Sequence, residues 1–185
     1  MSDHLILIPL VRLRYRVAFD ILQDMTEFIL RRYRPSDKEK VKALYELASI
    51  HSEIGYRSGP WETDFDNIED HYFNGGEFLV GLINDRIIAI GGYRKISEKQ
   101  GQIRRMRVHP DHRRKGFAQH IIQKLEEVAK QNQISELQLK TSTQQKMAQH
   151  FYEKNGYVKM EKEKEYYTEG GGNSFEVVWY RKELV

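Results

Sequence analysis

Residues 103–118, IRRMRVHPDHRRKGFA, set an apolar strand-like run, a His-Pro turn, a cationic loop and a helix-opening glycine in direct succession. A helix beginning at Gly116 leaves its first amide N–H groups without intrahelical acceptors, and its dipole adds positive charge at the same point. Arg113, Arg114 and Lys115 supply side-chain charge beside those amides. Such a helix mouth binds a pyrophosphate. The plain alternative is a solvated basic loop. His109 and His112 flank Asp111, but a His-Pro-Asp-His turn with no further ligand cluster reads as a turn, and no metal is expected.

The strand feeding this loop carries an irregularity. Met106 and Val108 share one face of a period-two element, while Ile103 is out of phase with them. An odd step between apolar residues indicates one extra residue, a β-bulge, which would leave amides near Met106 to Val108 free for a ligand. An edge strand with Ile103 exposed is the other reading.

The remaining elements must position this strand and loop. Phe28 to Arg34 reads as a strand, followed by Pro35-Ser36-Asp37 with Ser36 or Asp37 as cap. Val41, Leu44, Tyr45, Leu47 and Ala48 then recur at helical spacing. A second, shorter helix is expected over about 63–73. Phe78–Ile83, Asn84-Asp85 and Ile87–Tyr93 form a hairpin pattern. Past the loop, Phe117, Ile121, Ile122, Leu125, Val128 and Ala129 define an amphipathic helix. A strand at Leu137–Thr141 follows, then a helix at 144–154 stopped by Asn155-Gly156, with Met147 and Phe151 expected in the core. Strands at 157–160 and 175–180 close the chain; EKEKE at 161–165 reads as a solvated stretch and Gly170–Gly172 as a loop.

Residues 1–24 lack a clean period and are expected to be an extension, a segment upstream of the functional start, or an ordinary N-terminal helix; the domain itself spans 25–185. The 185-residue chain suits one domain with a real core. Hydrophobic residues at 39% and charged residues at 31% fit a soluble globular protein. The net charge of +3 gives no global argument for nucleic acid. Arg104, Arg105, Arg107, Arg113, Arg114 and Lys115 could form a nucleic-acid patch, but no aromatics interleave with them. Absence of cysteine excludes a disulfide, a thiol nucleophile and a Cys-based zinc site. No apolar run approaches the roughly 20 residues of a membrane span, and the charge order around Leu5–Val11 does not suit a secretory signal. A cytoplasmic location is expected. The sequence leaves oligomeric state open, a homodimer included.

Strand, RRKGFA, helix, strand, then a helix bearing FYEKNGY: from about Phe28 to Val185 this order resembles the GNAT superfamily of acyl-CoA-dependent N-acetyltransferases. Arg113-Arg114-Lys115-Gly116-Phe117-Ala118 matches that family's Q/R-x-x-G-x-G/A phosphate loop. The resemblance implies an α/β (α+β mixed) fold: a central, mostly antiparallel twisted sheet of six to seven strands flanked by about four helices. Strands 102–108 and 137–141 would splay and take the pantetheine arm of acetyl-CoA between them. Met106, Arg107 and Val108 would then hold the arm and the acetyl carbonyl, residues 113–118 the pyrophosphate, and Thr141 and Gln145 the far side of the arm. Gln145 stands where many relatives carry asparagine.

The implied reaction moves an acetyl group from acetyl-CoA to a primary amine, directly within a ternary complex, since no cysteine offers an acyl-enzyme. Tyr152 matches the family tyrosine that protonates the departing sulfur; the alternative is a packed aromatic four residues from Ala148. Where relatives commonly carry a carboxylate this chain has Gln102, leaving Glu98, Glu77 or an ordered water as base. A catalytically silent acyl-CoA sensor is the rival reading. Residues 61–70, WETDFDNIED, hold Glu62, Asp64, Asp66, Glu69 and Asp70. They would steer a cationic amine toward walls made by Tyr56 and Trp61, or simply face solvent at a helix start.

Overall fold

The computed structural model describes residues 27–53, 60–161, 165–168 and 174–184. Strand β1 (Ile29–Arg32) leads through a 3₁₀ turn at Pro35–Asp37 into helix α1 (Lys38–Ile50). The Asp37 carboxylate does not cap α1. It accepts the Arg34 N–H at 2.8 Å and both Arg31 guanidinium nitrogens at 2.6 and 2.9 Å, and so fixes the approach to the helix. The expected helix over 63–73 is split. A 3₁₀ turn at Pro60–Phe65 precedes α2 (Ile68–Tyr72), because Asn67 breaks the run and accepts the Asp70 amide as an N-cap.

Strands β2 (Glu77–Ile83) and β3 (Arg86–Lys95) form the expected hairpin. Asn84 and Asp85 both take positive φ, 49° and 59°, the signature of a primed two-residue turn. Then come β4 (Gln100–Val108), α3 (Phe117–Gln131), β5 (Glu136–Ser142), α4 (Lys146–Lys154), β6 (Val158–Lys159), β7 (Glu165–Thr168) and β8 (Ser174–Glu183). Among the described residues the sheet has eight strands in the order β1-β2-β3-β4-β5-β8-β6, with β7 also on β8. β7 is a strand that the charged run at 161–165 gave no reason to expect. β4–β5 is the one parallel pair described, and the rest of the sheet is antiparallel.

Helices cover both faces. Ile121, Ile122, Leu125 and Ala129 of α3 and Tyr152 of α4 bury one face with Tyr93, Ile103, Leu137 and Leu139. Val41, Leu44 and Tyr45 of α1 and Ile68 and Tyr72 of α2 bury the other with Phe78, Val80 and Ile90. Strand alternation sorts side chains between the two layers. Met147 departs from its expected place in the core: it is 63% exposed, while Phe151 packs against the core edge. Ala148 and Tyr152 occupy the inward face of the short helix α4, so Met147, one position round on its first turn, has no layer to cover it. No helix among the described residues is long and apolar enough to cross a membrane. Residues 1–24 lie outside the described set.

Candidate active site

β4 is bulged where its phase slips. Ile90 pairs with Arg107 and Gly92 with Arg104, so Arg105 and Met106 together oppose Gly91. Arg105 takes φ of 59°. The extra residue returns Ile103, Met106 and Val108 to one core, and Ile103 is only 4% exposed. The exposed-edge alternative is therefore excluded.

β4 and β5 pair over three positions only, Gln100–Glu136, Gly101–Leu137 and Gln102–Gln138. Beyond Gln102 they part, while β5 stays zipped to β8 as far as Ser142. The opening is a cleft of about 510 Å³. Ile103 to Arg107 form one wall, Lys140 to Ser142 with Gln145 and Tyr152 the other, and Tyr45 of α1 and Trp179 of β8 complete it.

At the far end of β4 the chain turns through Pro110–His112 to Gly116, whose φ of 86° is left-handed and favours glycine. The amides of Arg114, Lys115, Gly116, Phe117 and Ala118 find no acceptor among the described residues; within α3 the first to bond are Gln119 and His120, both to the Gly116 carbonyl. These free donors sit at the mouth of a fifteen-residue helix. Phe117 contributes its amide only, its ring being packed on Phe28 at 4.7 Å between centroids.

The three cations of the loop do not act alike. Arg114 and Lys115 are exposed and bond to no described residue. Arg113, expected beside the phosphates, is committed elsewhere. Its Nη1 donates to the His51 carbonyl and its Nη2 to that of Ala48, both at 2.8 Å, and its Nε reaches the Val108 carbonyl at 3.5 Å. The last carbonyls of α1 lack intrahelical partners and carry the negative end of the helix dipole, so they attract a guanidinium.

On the opposite wall Thr141 donates its hydroxyl proton to Gln145 Oε1 at 2.8 Å. That orients the glutamine, and its amide NH₂ keeps no described acceptor. Tyr152 is buried against Phe151, Tyr157 and Tyr180, yet it lines the cleft and its hydroxyl bonds to no described residue. Burial pushes the phenol up to about 12, opposed by the charge of Arg107. Arg107 itself lies over the Tyr45 ring, with Nε on the Ser49 hydroxyl at 3.1 Å and Nη1 on the Met106 carbonyl at 2.8 Å.

Neither expected carboxylate base reaches the cleft. Glu77 is buried against the Arg32 guanidinium, at 2.7 to 3.0 Å, and also accepts the Phe78 amide. Glu98 is 91% exposed in the β3–β4 turn and pairs with Lys95. Gln102 is buried, its Oε1 accepting from Arg94 Nε at 3.1 Å. Among the described residues no Asp or Glu lines the cleft.

The acidic segment also differs from its reading. Asp64 does not face solvent; it is buried in an ion pair with Arg105, whereas Asp66 and Asp70 are exposed. Tyr56 and the Trp61 side chain lie outside the described residues. Of the basic residues around the loop, Arg105 is buried in its ion pair and Arg113 is bonded to the end of α1. Sequence reasoning missed Arg94 and Arg104 as cleft residues. The pairing of Arg94 with Gln102 across the hairpin was the signal available for Arg94.

A parallel strand pair thus parts beside a helix mouth whose first amides are free among the described residues. The chain belongs to the GNAT acetyltransferase family, whose model matches residues 41–157. The fold is shared with a GNAT-family acetyltransferase from Staphylococcus aureus, 20% identical, with TM-score 0.74 over 86% of this chain and 100% of that one. A putative acetyltransferase from Salmonella typhimurium, solved with its cofactor acetyl-CoA, is 14% identical with TM-score 0.70, covering 85% and 94%. The ribosomal-protein-S18-alanine N-acetyltransferase of Escherichia coli is 13% identical with TM-score 0.67 and the same coverage. No curated protein sequence matches the chain.

Proposed function

We propose that this protein transfers an acetyl group from acetyl-CoA to a primary amine by direct attack within a ternary complex. The observation that carries the reading is the alignment of one opening with three requirements: free amides at 114–118, an unzipped strand edge after Gln102, and the unpartnered Tyr152 hydroxyl. The amides take the diphosphate, assisted by Arg114 and Lys115. The edge of β4 around Met106 to Val108 holds the arm and orients the carbonyl, with Gln145 opposite. Tyr152 gives its proton to the departing sulfur.

Two energies decide how this must work. An amine of pKa ~10.4 is neutral to only about one part in 10³ to 10⁴ at pH 7, a cost near 4.6 kcal/mol. With no carboxylate among the described residues of the cleft, the cationic lining itself lowers that cost, since Arg94, Arg104 and Arg107 disfavour the ammonium form. The second energy concerns Tyr152. A phenol at about 12 facing a thiol near 8.5 makes full transfer uphill by roughly 5 kcal/mol. Proton donation must therefore accompany, rather than precede, loss of the proton that the nitrogen sheds on attack: as the C–N bond forms and the C–S bond breaks, the phenol gives its proton to sulfur and the phenolate oxygen takes the one from nitrogen.

Calorimetry with acetyl-CoA tests the frame, and thiol release over an amine panel tests the reaction. Gly116→Asp places a side chain and a negative charge where the diphosphate lies, so it abolishes binding; unchanged affinity removes the phosphate-loop assignment. The absence of Asp and Glu from the cleft among the described residues favours one rival, a silent acyl-CoA-binding module, which would bind acetyl-CoA and release no thiol with any amine.

A further inference from the structure

The cleft is lined by five cations, Arg94, Arg104, Arg105, Arg107 and Lys140, and by no Asp or Glu among the described residues. Three have visible employment. Arg105 is neutralised by Asp64, Arg107 is held by Tyr45, Ser49 and the Met106 carbonyl, and Lys140 lies over the Trp179 ring at 5.2 Å. The Arg104 side chain makes no hydrogen bond or ion pair to any described residue. Arg94 has only the neutral Gln102 oxygen.

These two belong to one face. Arg94 pairs with Gln102, and Arg104 pairs with Gly92, so they are diagonal cross-strand neighbours on the α1–α2 side of the sheet. Diagonal Cβ atoms lie about 7–8 Å apart, within reach for long side chains, and like charges there repel. The repulsion registers on Arg94, whose pKa falls below its ordinary value through burial and then through the charge of Arg104. The Asp64 carboxylate offsets part of this charge at a distance, but it is bonded to Arg105, and neither half-buried guanidinium has a bonded counter-ion among the described residues; a ligand anion between them supplies one.

The coenzyme is not that anion. Its phosphates belong at the mouth of α3, beyond Val108, and Arg104 lies four residues back along β4, about 13 Å at strand rise. Arg94 is farther back still, opposite Gln102. Both lie farther from the phosphate loop than Met106 to Val108, the stretch assigned to the arm.

Resting on the acetyltransfer reading, we infer that the acceptor amine also carries an anionic group, a carboxylate or a phosphate, bound between Arg94 and Arg104. The same positive field that disfavours the ammonium attracts the anion, so an amine with its own anionic group is drawn in and deprotonated by one set of residues. Arg104 is then a specificity-determining residue, and a simple polyamine is a poor substrate.

The test uses product-like probes, so it does not depend on turnover. The full-length protein, with and without saturating coenzyme A, is titrated calorimetrically with N-acetylated amino acids, their primary amides, and N-acetylated phosphoalkylamines. At least one anionic probe is expected to bind tighter than its neutral counterpart by about tenfold or more, and comparing carboxylate with phosphate probes separates the two sources. Arg104→Gln reduces the anionic probe to the level of the neutral one, Arg104→Lys restores part of the difference, and coenzyme A affinity stays as in the parent for both. Equal or absent binding of all anionic probes overturns the inference, as does loss of coenzyme A affinity in Arg104→Gln. The transfer reading fails on another readout, the absence of thiol release with every amine.

Discussion

Arg105 and Asp64 stand forty-one residues apart in the chain and meet as a bidentate pair, Nε and Nη2 on the two carboxylate oxygens at 2.9 and 2.5 Å. The pair is buried on both sides. Tyr72 donates its hydroxyl proton to the same carboxylate at 2.6 Å, Arg105 Nη1 donates to the Tyr45 hydroxyl at 2.8 Å, and the guanidinium lies over the Phe65 ring. Because Arg105 is the left-handed residue of the bulge, this network ties the 3₁₀ turn at 60–65 and both helices of one layer to the point where β4 must stay unzipped. Met106, the next residue, anchors the bulge in the opposite core.

Asp64→Asn leaves Arg105 buried without its counter-charge, and breaking one side of such a pair costs about 3–5 kcal/mol. Urea unfolding should show that loss. Burial pushes the Asp64 carboxyl up, but the Arg105 bond and charge, helped by Tyr72, hold it below its ordinary value. A depressed folded-state pKa gives stability that is present above the unfolded value, about 3.9, and lost as pH falls through the folded one. Asp37, lowered chiefly by its Arg31 bond, acts in the same sense. Stability therefore declines below about pH 4, and Asp64→Asn declines less steeply there. A variant with the parent's urea midpoint would refute the structural role of the pair.

Tyr152→Phe should lose turnover by about 10² to 10⁴-fold while acetyl-CoA affinity, read by calorimetry, is kept. The raised phenol adds a pH signature. A group at about 12 keeps its proton throughout an ordinary assay range. The rate should thus rise with pH as the amine deprotonates, with no falling limb from Tyr152 below about pH 10. Full activity in the variant would return Tyr152 to packing alone.

The site was legible in sequence where local chemistry fixes it. Gly116 before an apolar-periodic helix, the Asn84-Asp85 turn and the phase slip between Ile103 and Met106 each act through backbone geometry within a few residues. What was not legible depends on long-range partners. Asp64 looked like a surface acid because Arg105 is remote in sequence; Arg113 looked like a phosphate ligand because the free carbonyls of Ala48 and His51 belong to another helix. Glu77 was a candidate base until Arg32 was found across the sheet edge. Helix existence was readable from period, but the fate of Met147 turned on whether a layer covered α4's first turn.

The split among the loop cations gives a test by salt. Lys115→Ala removes a charge that the proposed function sets beside the diphosphate, so coenzyme affinity should fall and its dependence on ionic strength should flatten. Arg113→Ala instead frees two carbonyls at the end of α1, each charge-assisted bond being worth about 1.5–3 kcal/mol. That variant should lower the urea midpoint and weaken coenzyme binding while keeping the parent's salt dependence. A flattened salt dependence in Arg113→Ala would put its guanidinium on the phosphates after all.

Gly91 faces the bulge, and a Cβ built there would meet the Met106 sulfur and lie 2.8 Å from Ile121 Cγ2. Overpacking of this kind costs about 1–3 kcal/mol, so Gly91→Ala should destabilise the fold. It should also raise the coenzyme Kd, because the displaced Met106 belongs to the backbone that would hold the pantetheine arm. Shortening the neighbour separates the two effects. Met106→Ala alone loses packing, but combined with Gly91→Ala it also removes the sulfur's part of the clash, leaving the Ile121 contact, so the double variant should be more stable than the sum of the singles allows. Recovery of coenzyme affinity in the double variant would show that the bulge's shape, rather than the Met106 side chain, sets the binding edge. Strict additivity in both stability and affinity would place the Gly91 effect elsewhere and remove the bulge from coenzyme recognition.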